Sequence, residues 1–297
     1  MTDQVPPITQ AMIDAYDAYT HVTLDRRGLL ARLTALAGSS AAAYALLPLL
    51  EANPAHAAIV EHEDPRITHV DTVWKGAGGD EMKGYFVLPA NAPAKVPMVL
   101  VIHENRGLTQ HIRDVARRVG VAGFGALAPD FLAPMGGTPA DEDKARDMIG
   151  KLDRAQTIAN GIKSLDFIDR HKQSTGKIGA VGFCWGGGMV NALAVAAGSK
   201  LQAAVPYYGP VPADLGQVPK IRAKMMLHYA GNDERINAGL PAYKKAMTRA
   251  RVDWTLHMYQ DRQHAFHNDT SAARYDKMAA EQSWKRTIDF FRKTLVK

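Results

Sequence analysis

From about residue 66 onward, two patterns of apolar and polar positions take turns along the chain, one typical of strands and the other typical of helices. Val96–Ile102 is a continuous apolar run, which predicts a strand buried on both faces of a parallel sheet. Residues 141–169 carry apolar side chains at helical spacing instead, which predicts a mostly helical region. Further strands are predicted at 68–74, 85–88, 125–130, 177–183, 203–208, 224–229 and 254–259, and further helices at 110–121, 186–197, 240–250 and 272–295. This alternation predicts an α/β fold with a doubly wound, mostly parallel sheet.

The first 60 residues follow a different pattern. Residues 25–30 (DRRGLL) resemble a twin-arginine export signal, an alanine- and leucine-rich run follows to about residue 50, and Ala55-His56-Ala57 fits a cleavage site. Residues 12–19 (MIDAYDAY) carry acids and aromatics, which is more typical of an amphipathic helix that packs on another surface. Two alternatives stay open: a cleaved leader on a periplasmic protein, or retained helices on a cytoplasmic one. We therefore divide the chain into an extension, 1–60, and a catalytic domain, 61–297.

Composition narrows the function classes. The chain has 297 residues, 46% of them hydrophobic, which is enough for one large core. The net charge is +6, and its basic residues are scattered rather than clustered, so no nucleic-acid partner is expected. The single cysteine excludes internal disulfides.

That cysteine, Cys184, stands in the segment VGFCWGGG (181–188). With cysteine in place of serine, this is the G-x-S-x-G nucleophile elbow, a sharp turn between a strand and a helix that exposes one reactive side chain. The predicted strand 177–183 and helix 186–197 supply that setting. A helix N-terminus beside the sulfur favours the thiolate. The competing interpretation is a small buried residue in a glycine-rich turn, because free cysteine is commonly buried.

A thiol is only slightly ionised at neutral pH and needs a base to become an efficient nucleophile. In α/β-hydrolase order an acid and then a histidine follow the nucleophile. Asp233 follows a predicted strand, with Glu234 as the alternative carboxylate and a structural turn or helix cap as the competing role. His264 lies between the last strand and the last helix, and we predict it as the general base.

Other groups are assigned by the same argument. His228 and His257 fall inside strands and are expected to be packed. His267 lies near His264, but no carboxylate or cysteine at ligand spacing accompanies the pair, so we expect no metal and no cofactor. The backbone N–H of Trp185 and one from the loop 103–107 (HENRG) are the expected oxyanion-hole donors.

With these residues placed, the chain from about residue 66 onward resembles the dienelactone hydrolase (carboxymethylenebutenolidase) family. The motifs that carry the resemblance are GFCxGG around the cysteine, APD after a strand, the G-x-x-D acid turn and H-x-F at the base. The resemblance implies an α/β-hydrolase fold, here with a helical N-terminal extension. It also implies that Glu104 contacts the resting cysteine and helps to activate it, and that Asn105 supplies the second oxyanion N–H. A surface acid paired with Arg106 is the alternative for Glu104.

The resemblance has a limit at the substrate. Members of the family grip a substrate carboxylate with arginines just past the base histidine and just past APD, and this chain has none at those positions. Arg106, Arg262 and His267 are the candidates to compensate, and the predicted apolar wall includes Phe131, Tyr208 and Phe266.

The sequence therefore predicts a hydrolase that cleaves a small-molecule ester or lactone through a Cys184 acyl-enzyme. The alternatives are a thioesterase or acyltransferase with the same triad, and a non-catalytic ligand-binding protein of the same fold. Residues 8–50 are a candidate subunit contact in a homo-oligomer.

Overall fold

The computed structural model describes residues 6–21, 24–51, 59–92 and 95–296. The predicted cleavage motif Ala55-His56-Ala57 lies outside the described residues, so the choice between cleaved leader and retained helices stays a prediction. The strands and helices predicted for residues 66–296 are present within the described part of the chain, with differences at their ends and with one predicted helix divided in two.

An eight-stranded sheet forms the centre of the fold, in the order β1-β2-β4-β3-β5-β6-β7-β8. The pairs β1–β2 and β2–β4 are antiparallel, and every other neighbouring pair is parallel. The strands are β1 (Ile67–Lys75), β2 (Glu81–Pro89), β3 (Val96–Ile102), β4 (Gly125–Asp130), β5 (Ser174–Phe183), β6 (Ala203–Tyr207), β7 (Lys224–Asn232) and β8 (Trp254–Gln263). The parallel strands point their carboxyl ends to one edge of the sheet, which is where ligands bind in open α/β sheets.

Helices cover both faces of this sheet, which explains the unbroken apolar run of β3. Met98, Leu100 and Ile102 belong to one core cluster, and Val99 and Val101 belong to the other. The first cluster is completed by α6, α7 and α9, and the second by α4 and α10. The helices of the catalytic region are α4 (Gln110–Val121), α5 (Glu142–Ile149), α6 (Arg154–Asp169), α7 (Trp185–Ala196), α8 (Glu234–Asn237), α9 (Leu240–Arg249) and α10 (Lys277–Leu295).

Two predicted helices differ from those observed because of their capping residues. The predicted helix 141–169 is divided into α5 and α6, since Asp153 caps a new helix by accepting a hydrogen bond from the N–H of Gln156. The last helix starts at Lys277 rather than at residue 272, because Asp276 caps it through the N–H of Ala279. The chain between β8 and α10 is therefore longer than predicted, and it carries part of the site.

In the described part of the chain, three helices precede the sheet: α1 (Gln10–Thr20), α2 (Arg26–Ala37) and α3 (Ser40–Leu50). Each is capped by a side chain, from Thr9, Asp25 and Ser39 respectively. Their apolar faces pack on one another in a separate small core; its largest buried members are Met12, Tyr16, Tyr19, Leu29, Leu33, Leu46, Leu47 and Leu50.

The twin-arginine segment is helical in this arrangement, with both arginines in the first turn of α2. None of the described helices is by itself long and apolar enough to cross a membrane, whereas α2 and α3 together meet the length and composition but are bent by 112°.

Candidate active site

The glycine-rich turn between β5 and α7 places Cys184 above the carboxyl edge of the sheet. Cys184 has φ 55° and ψ −116°, a backbone conformation that is strained for any residue with a side chain. The turn is tight enough that a Cβ at position 182 would lie 2.3 Å from the carbonyl oxygen of Gly186. At position 186 a Cβ would lie 2.4 Å from the carbonyl oxygens of Ile102 and His103. The strand–turn–helix setting predicted for the cysteine is confirmed.

Asp233 and His264 follow the neighbouring strands β7 and β8 and meet next to the elbow. The Nδ1 of His264 lies 2.6 Å from Oδ2 of Asp233, and both side chains are almost fully buried. Asp233 also caps α8, since its Oδ1 accepts a hydrogen bond from the N–H of Ile236 at 3.4 Å. The two contacts predicted as alternatives for Asp233 therefore occur together: Oδ2 holds the ring of His264, and Oδ1 caps α8.

His264 is held in a charged environment. Burial lowers the pKa of His264, but the negative charges of Asp233, Cys184 and Asp17 outweigh it and raise the pKa well above its ordinary value. With Nδ1 taken by Asp233, the nitrogen left for chemistry is Nε2, which is buried and has no hydrogen-bond partner among the described residues. A ring nitrogen of His264 lies within 4.8 Å of the Cys184 sulfur. The imidazole can therefore exchange a proton with a group bound between it and the sulfur.

A second histidine, His21, reaches the same sulfur from the N-terminal extension. Its Nε2 lies 3.4 Å from Sγ of Cys184, and its ring packs edge-on against that of His264, with 4.7 Å between the centroids. Burial raises the pKa of the Cys184 thiol, but the imidazoles of His264 and His21 lower it from 9.0 to about 6. A thiol with this pKa is mostly thiolate at neutral pH, which is the nucleophilic form.

The two predicted oxyanion donors lie on elements that touch. Trp185 is the first residue of α7, so its N–H has no partner within its own helix. The ring of Trp185 stacks on His103, with 5.2 Å between centroids, and this ties the helix start to the loop after β3 that carries Asn105. Asn105 and Trp185 both line the cavity next to Cys184.

Glu104 and Arg106, from the same loop, make other contacts than those expected. Oε2 of Glu104 accepts a hydrogen bond from Nδ2 of Asn268 at 2.6 Å, and its Oε1 is buried without a hydrogen-bond partner in the described chain. The alternative that Glu104 pairs with Arg106 is wrong, because Arg106 lies 3.8 Å from Glu142 and 3.3 Å from Asp143 at the start of α5. The contact at the sulfur that the resemblance implies for Glu104 is made here by His21.

The cavity next to the sulfur has a volume of about 230 Å³. Its lining residues are His21, Asn105, Arg146, Ile149, Gly150, Cys184, Trp185, Pro210, Arg235 and Ile236. A larger cavity of about 530 Å³ borders Asp233 and His264 but not Cys184. The reacting carbonyl must touch the sulfur, so the smaller cavity is the candidate acyl pocket.

Most of the predicted substrate contacts lie behind this pocket rather than on its wall. Phe131 packs edge-on against Trp185, and Tyr208 packs against the ring of His264. Phe266 and His267 are fully buried among aromatic rings of the core, and burial lowers the pKa of His267 well below its ordinary value. Ala265, with φ 66°, turns the chain directly after the base, and the two side chains that follow it lie in the core. The expectation that Phe266 and His267 line the pocket is corrected accordingly.

The sequence also gave no indication of which arginines line the pocket. Arg262 forms an ion pair with Asp276, whereas Arg146 from α5 and Arg235 from α8 line the cavity. Neither arginine lies just past the base histidine or just past the APD motif, so the family motifs give no signal for them. For His21 the sequence signal was the aromatic and acidic helix 12–19, which we expected to pack on another surface.

Three sets of metal-type donors are found in the described residues, and two of them consist of these same groups. His21, Cys184 and His264 form one set, Asp17, Asp233 and His264 a second, and the surface residues His62, Glu63 and His69 a third. Two nitrogens and a thiolate are donors that Zn²⁺ accepts, but they are the same groups that a nucleophilic mechanism needs. The expectation of no metal stays a prediction.

Comparison with known proteins identifies the family. Residues 82–295, well over half of the chain, match the dienelactone hydrolase family. The chain belongs to the dienelactone hydrolase family. The predicted family, the α/β-hydrolase fold and the assignment as a hydrolase are thereby confirmed. Because the family match begins at residue 82, helices α1–α3 and His21 lie outside it.

Individual relatives agree with this membership. A Saccharolobus solfataricus protein named "Putative carboxymethylenebutenolidase" is 29% identical over 258 residues, covering 74% of this chain and 97% of that protein. The Escherichia coli K12 "Putative hydrolase fragment YghX" is 46% identical over 112 residues, covering 37% of this chain and 96% of that protein. The crystal structure titled "Putative Dienelactone Hydrolase" from Klebsiella pneumoniae superposes with a TM-score of 0.68 at 25% identity, covering 76% of this chain and 98% of the other.

Proposed function

We propose that this family member hydrolyses a carboxylic ester or lactone through an acyl-enzyme on Cys184, with His264 as general acid and base. Asp233 holds the ring of His264, and the N–H groups of Trp185 and Asn105 bind the oxyanion. The observation that carries the proposal is the arrangement at the elbow, in which Asp233 holds Nδ1 of His264 at 2.6 Å and a ring nitrogen of His264 lies within 4.8 Å of the buried sulfur.

The proposed cycle balances as follows. The Cys184 thiolate adds to the ester carbonyl, and the carbonyl electron pair moves to the oxygen between the N–H groups of Trp185 and Asn105. The C–O bond then breaks, and the leaving oxygen takes a proton from Nε2 of His264. In the second half a water molecule gives a proton to the same nitrogen and adds to the thioester. The C–S bond breaks, the acid leaves and the thiolate is restored.

Glu104 is proposed as a positioning residue rather than as a direct partner of the resting sulfur. Its Oε2 holds Asn268, which lies four residues after His264, and Nδ1–H and Nε2 of the neighbouring His103 bond the backbone of Glu104 and Phe131. These bonds fix the loop that carries Asn105. Arg106, paired with α5, fixes the far side of the same loop.

The pocket supports a compact acyl group. A volume of about 230 Å³ lies below the range of about 300–1,000 Å³ that holds drug-sized ligands. Arg235 is the more exposed of the two arginines on its wall and lies 3.8 Å from Asp17, whereas Arg146 is almost buried and paired with Asp143 and Asp147. We therefore expect the acyl chain to be short and Arg235 to be the cation that an anionic substrate meets.

The test combines a substrate panel with changes at the nucleophile. p-Nitrophenyl esters of increasing acyl length are assayed beside a dienelactone, with the wild type, Cys184→Ala and Cys184→Ser. We expect the wild type to cleave the short esters and Cys184→Ala to have lost this activity. We expect Cys184→Ser to lose most of it, because the imidazoles of His264 and His21 favour a thiolate at this position. Wild-type rates from Cys184→Ala would refute the mechanism.

The acyl-transfer alternative uses the same groups and differs only in the acceptor. Acylated enzyme mixed with water, alcohols or thiols distinguishes them by the product formed, and we expect water to be the preferred acceptor. A protein that binds these esters but never releases p-nitrophenol would favour the non-catalytic alternative.

Two further predictions concern the extension. The division into 1–60 and 61–297 is retained as a proposal, although α1 packs on the catalytic region. Leu36, Tyr44 and Leu49 are large exposed side chains on α2 and α3, and we propose these helices as the subunit contact of a homo-oligomer. Sedimentation of the full chain, with Tyr44→Glu as the variant, tests the proposal: a monomeric wild type would refute it.

A further inference from the structure

Helix α1 ends on the active site rather than beside it. His21, the residue that follows the helix, presents Nε2 to the Cys184 sulfur at 3.4 Å. Its other ring nitrogen, Nδ1, lies 2.7 Å from the carbonyl oxygen of Asp17 and 3.4 Å from the Asp17 carboxylate. Because a carbonyl oxygen only accepts, Nδ1 carries a proton, and Nε2 is the ring nitrogen that faces the sulfur. His21 and Asp17 thus form a second histidine–acid pair at the sulfur.

The end of α1 is held by separate parts of the catalytic region. Nδ2 of Asn105 donates to the Thr20 carbonyl at 2.6 Å, and Arg146 donates to the Tyr19 carbonyl at 3.3 Å. The Tyr19 hydroxyl is hydrogen-bonded to Asp143 of α5. Three side chains from two segments, the loop after β3 and helix α5, therefore fix the two residues just before His21.

Asp17, the partner of His21, is fixed in the same way. Arg235 of α8 lies 3.8 Å from its carboxylate, and Arg274, before α10, lies 3.6 Å from it and stacks on Tyr16. Burial raises the pKa of Asp17, but His264, His21 and the two arginines outweigh it and lower the pKa, so this residue is ionised. A negative charge therefore lies directly behind the His21 ring.

Docked α1 does not fill the site. The cavity of about 230 Å³ next to the sulfur remains, and His21 is one of its walls. A helix that only blocked the nucleophile would leave no room for an acyl group there. The docked arrangement is therefore compatible with turnover.

We propose that His21 is a catalytic residue supplied by the N-terminal extension, a proposal that rests on the cysteine mechanism above. The thiol proton passes to Nε2 of His21, and the resulting imidazolium donates a hydrogen bond to the thiolate. His264 is then free to carry the separate proton that goes to the leaving oxygen and returns from water. At the end of the cycle the released thiolate accepts the same hydrogen bond from His21, so no proton is left over.

The charged groups that face the sulfur from other elements set the background for this test. They are His264 after β8 with its partner Asp233 after β7, the Tyr208 hydroxyl after β6 with Glu104 near it, and Arg146 and Arg235 on the cavity wall. The variants below change His21, its partner Asp17 or the distant His62 and none of these groups.

The experiment measures the alkylation of Cys184 by iodoacetamide against pH in the full-length chain. The chain has one cysteine, so the rate reports this sulfur alone. We expect a midpoint near pH 6 in the wild type. In His21→Gln we expect the midpoint to rise by about one pH unit, and kcat/KM for a short ester to fall about tenfold or more. His62→Gln, at an exposed histidine outside the site, is the matched control and is expected to behave as wild type.

An unchanged alkylation midpoint in His21→Gln would overturn the proposal. A His21→Gln enzyme that is faster than wild type would also overturn it, since it would show that α1 blocks the site. If circular dichroism shows that this variant does not fold, Asp17→Asn gives the second test, with a smaller rise of the midpoint expected and no rise overturning the proposal. Alkylation needs no substrate, so a protein that cleaves no ester would refute the proposed function while the His21 measurement still stands.

Discussion

The Asp233–His264 contact offers the sharpest test of the proposed triad. One substitution can remove the negative charge of Asp233 and keep its role as the cap of α8. Asp233 orients the base through Oδ2 and caps α8 through Oδ1. Asparagine caps helices about as well as aspartate, so Asp233→Asn is expected to retain the cap and the fold. Its side-chain N–H₂ group, however, is a donor and favours a His264 tautomer whose Nε2 already carries the proton. That tautomer cannot accept a proton from water.

The expected loss follows from the burial and the distance of the pair. At 2.6 Å, and with an effective dielectric constant of about 20, the attraction between the two charges is about 6 kcal/mol, which is an upper limit for the effect. Both side chains are at most 4% exposed, so water can replace little of the attraction that the substitution removes. Replacing a charged partner by a neutral one that still makes a hydrogen bond costs less than the limit. We expect kcat/KM to fall by about 10²–10⁴-fold, which is about 3–5 kcal/mol of transition-state stabilisation.

The assay is kcat/KM on the best p-nitrophenyl ester over pH 5–9, with thermal unfolding as the check of the fold. Asp214→Asn is the matched control, because Asp214 also caps a short helix through its side chain but lies outside the site. The control is expected to stay within about twofold of the wild type. If Asp233→Asn is folded and loses less than about threefold, the carboxylate does not orient the base and the triad assignment is refuted.

Three further predictions follow from the site and its supports. Gly186→Ala is expected to destabilise the fold by about 1–3 kcal/mol in urea unfolding, since its Cβ would lie 2.4 Å from two backbone oxygens, whereas Gly150→Ala, with its nearest contact at 3.6 Å, is expected to change little. The pKa of Asp269 is lowered to about 2. Burial opposes this shift, but hydrogen bonds and charges from His111 and Arg118 outweigh it. The ion pair therefore stabilises the folded state above pH 4, and this contribution is lost as the pH falls towards 2. Asp269→Asn is expected to flatten stability over that window, and an unchanged acid-unfolding curve would contradict this. For ester hydrolysis, kcat/KM of the wild type is expected to fall tenfold per unit below pH 6, as the Cys184 thiolate is protonated, and a flat profile to pH 5 would contradict the assigned nucleophile.

Much of the catalytic region was predictable because its signals are local. A strand buried on both faces needs an unbroken apolar run, and β3 shows one. An elbow needs glycines where its backbone segments touch, and Gly182 and Gly186 stand at those contacts. The order of Asp233 and His264 after the nucleophile follows from the order of β7 and β8 in the sheet. These features depend on residues that are close along the chain or on a fixed strand order.

The pocket was harder to predict, because its walls come from segments that are far apart along the chain. Phe266 and His267 were expected in the pocket as neighbours of the base, but the turn at Ala265 is followed by side chains in the core. Arg146 and Arg235 have no motif, and they reach the cavity only because α5 and α8 pack around it.

The sequence by itself determined the fold, the family and the three groups of the candidate triad, because each has a local pattern or a family motif. Only the tertiary structure decided what surrounds the sulfur. His21 precedes Cys184 by 163 positions, and nothing in the spacing relates the two residues. Their contact depends on the packing of α1 onto loops of the catalytic region, and that packing is a sum of many weak contacts that no single motif records.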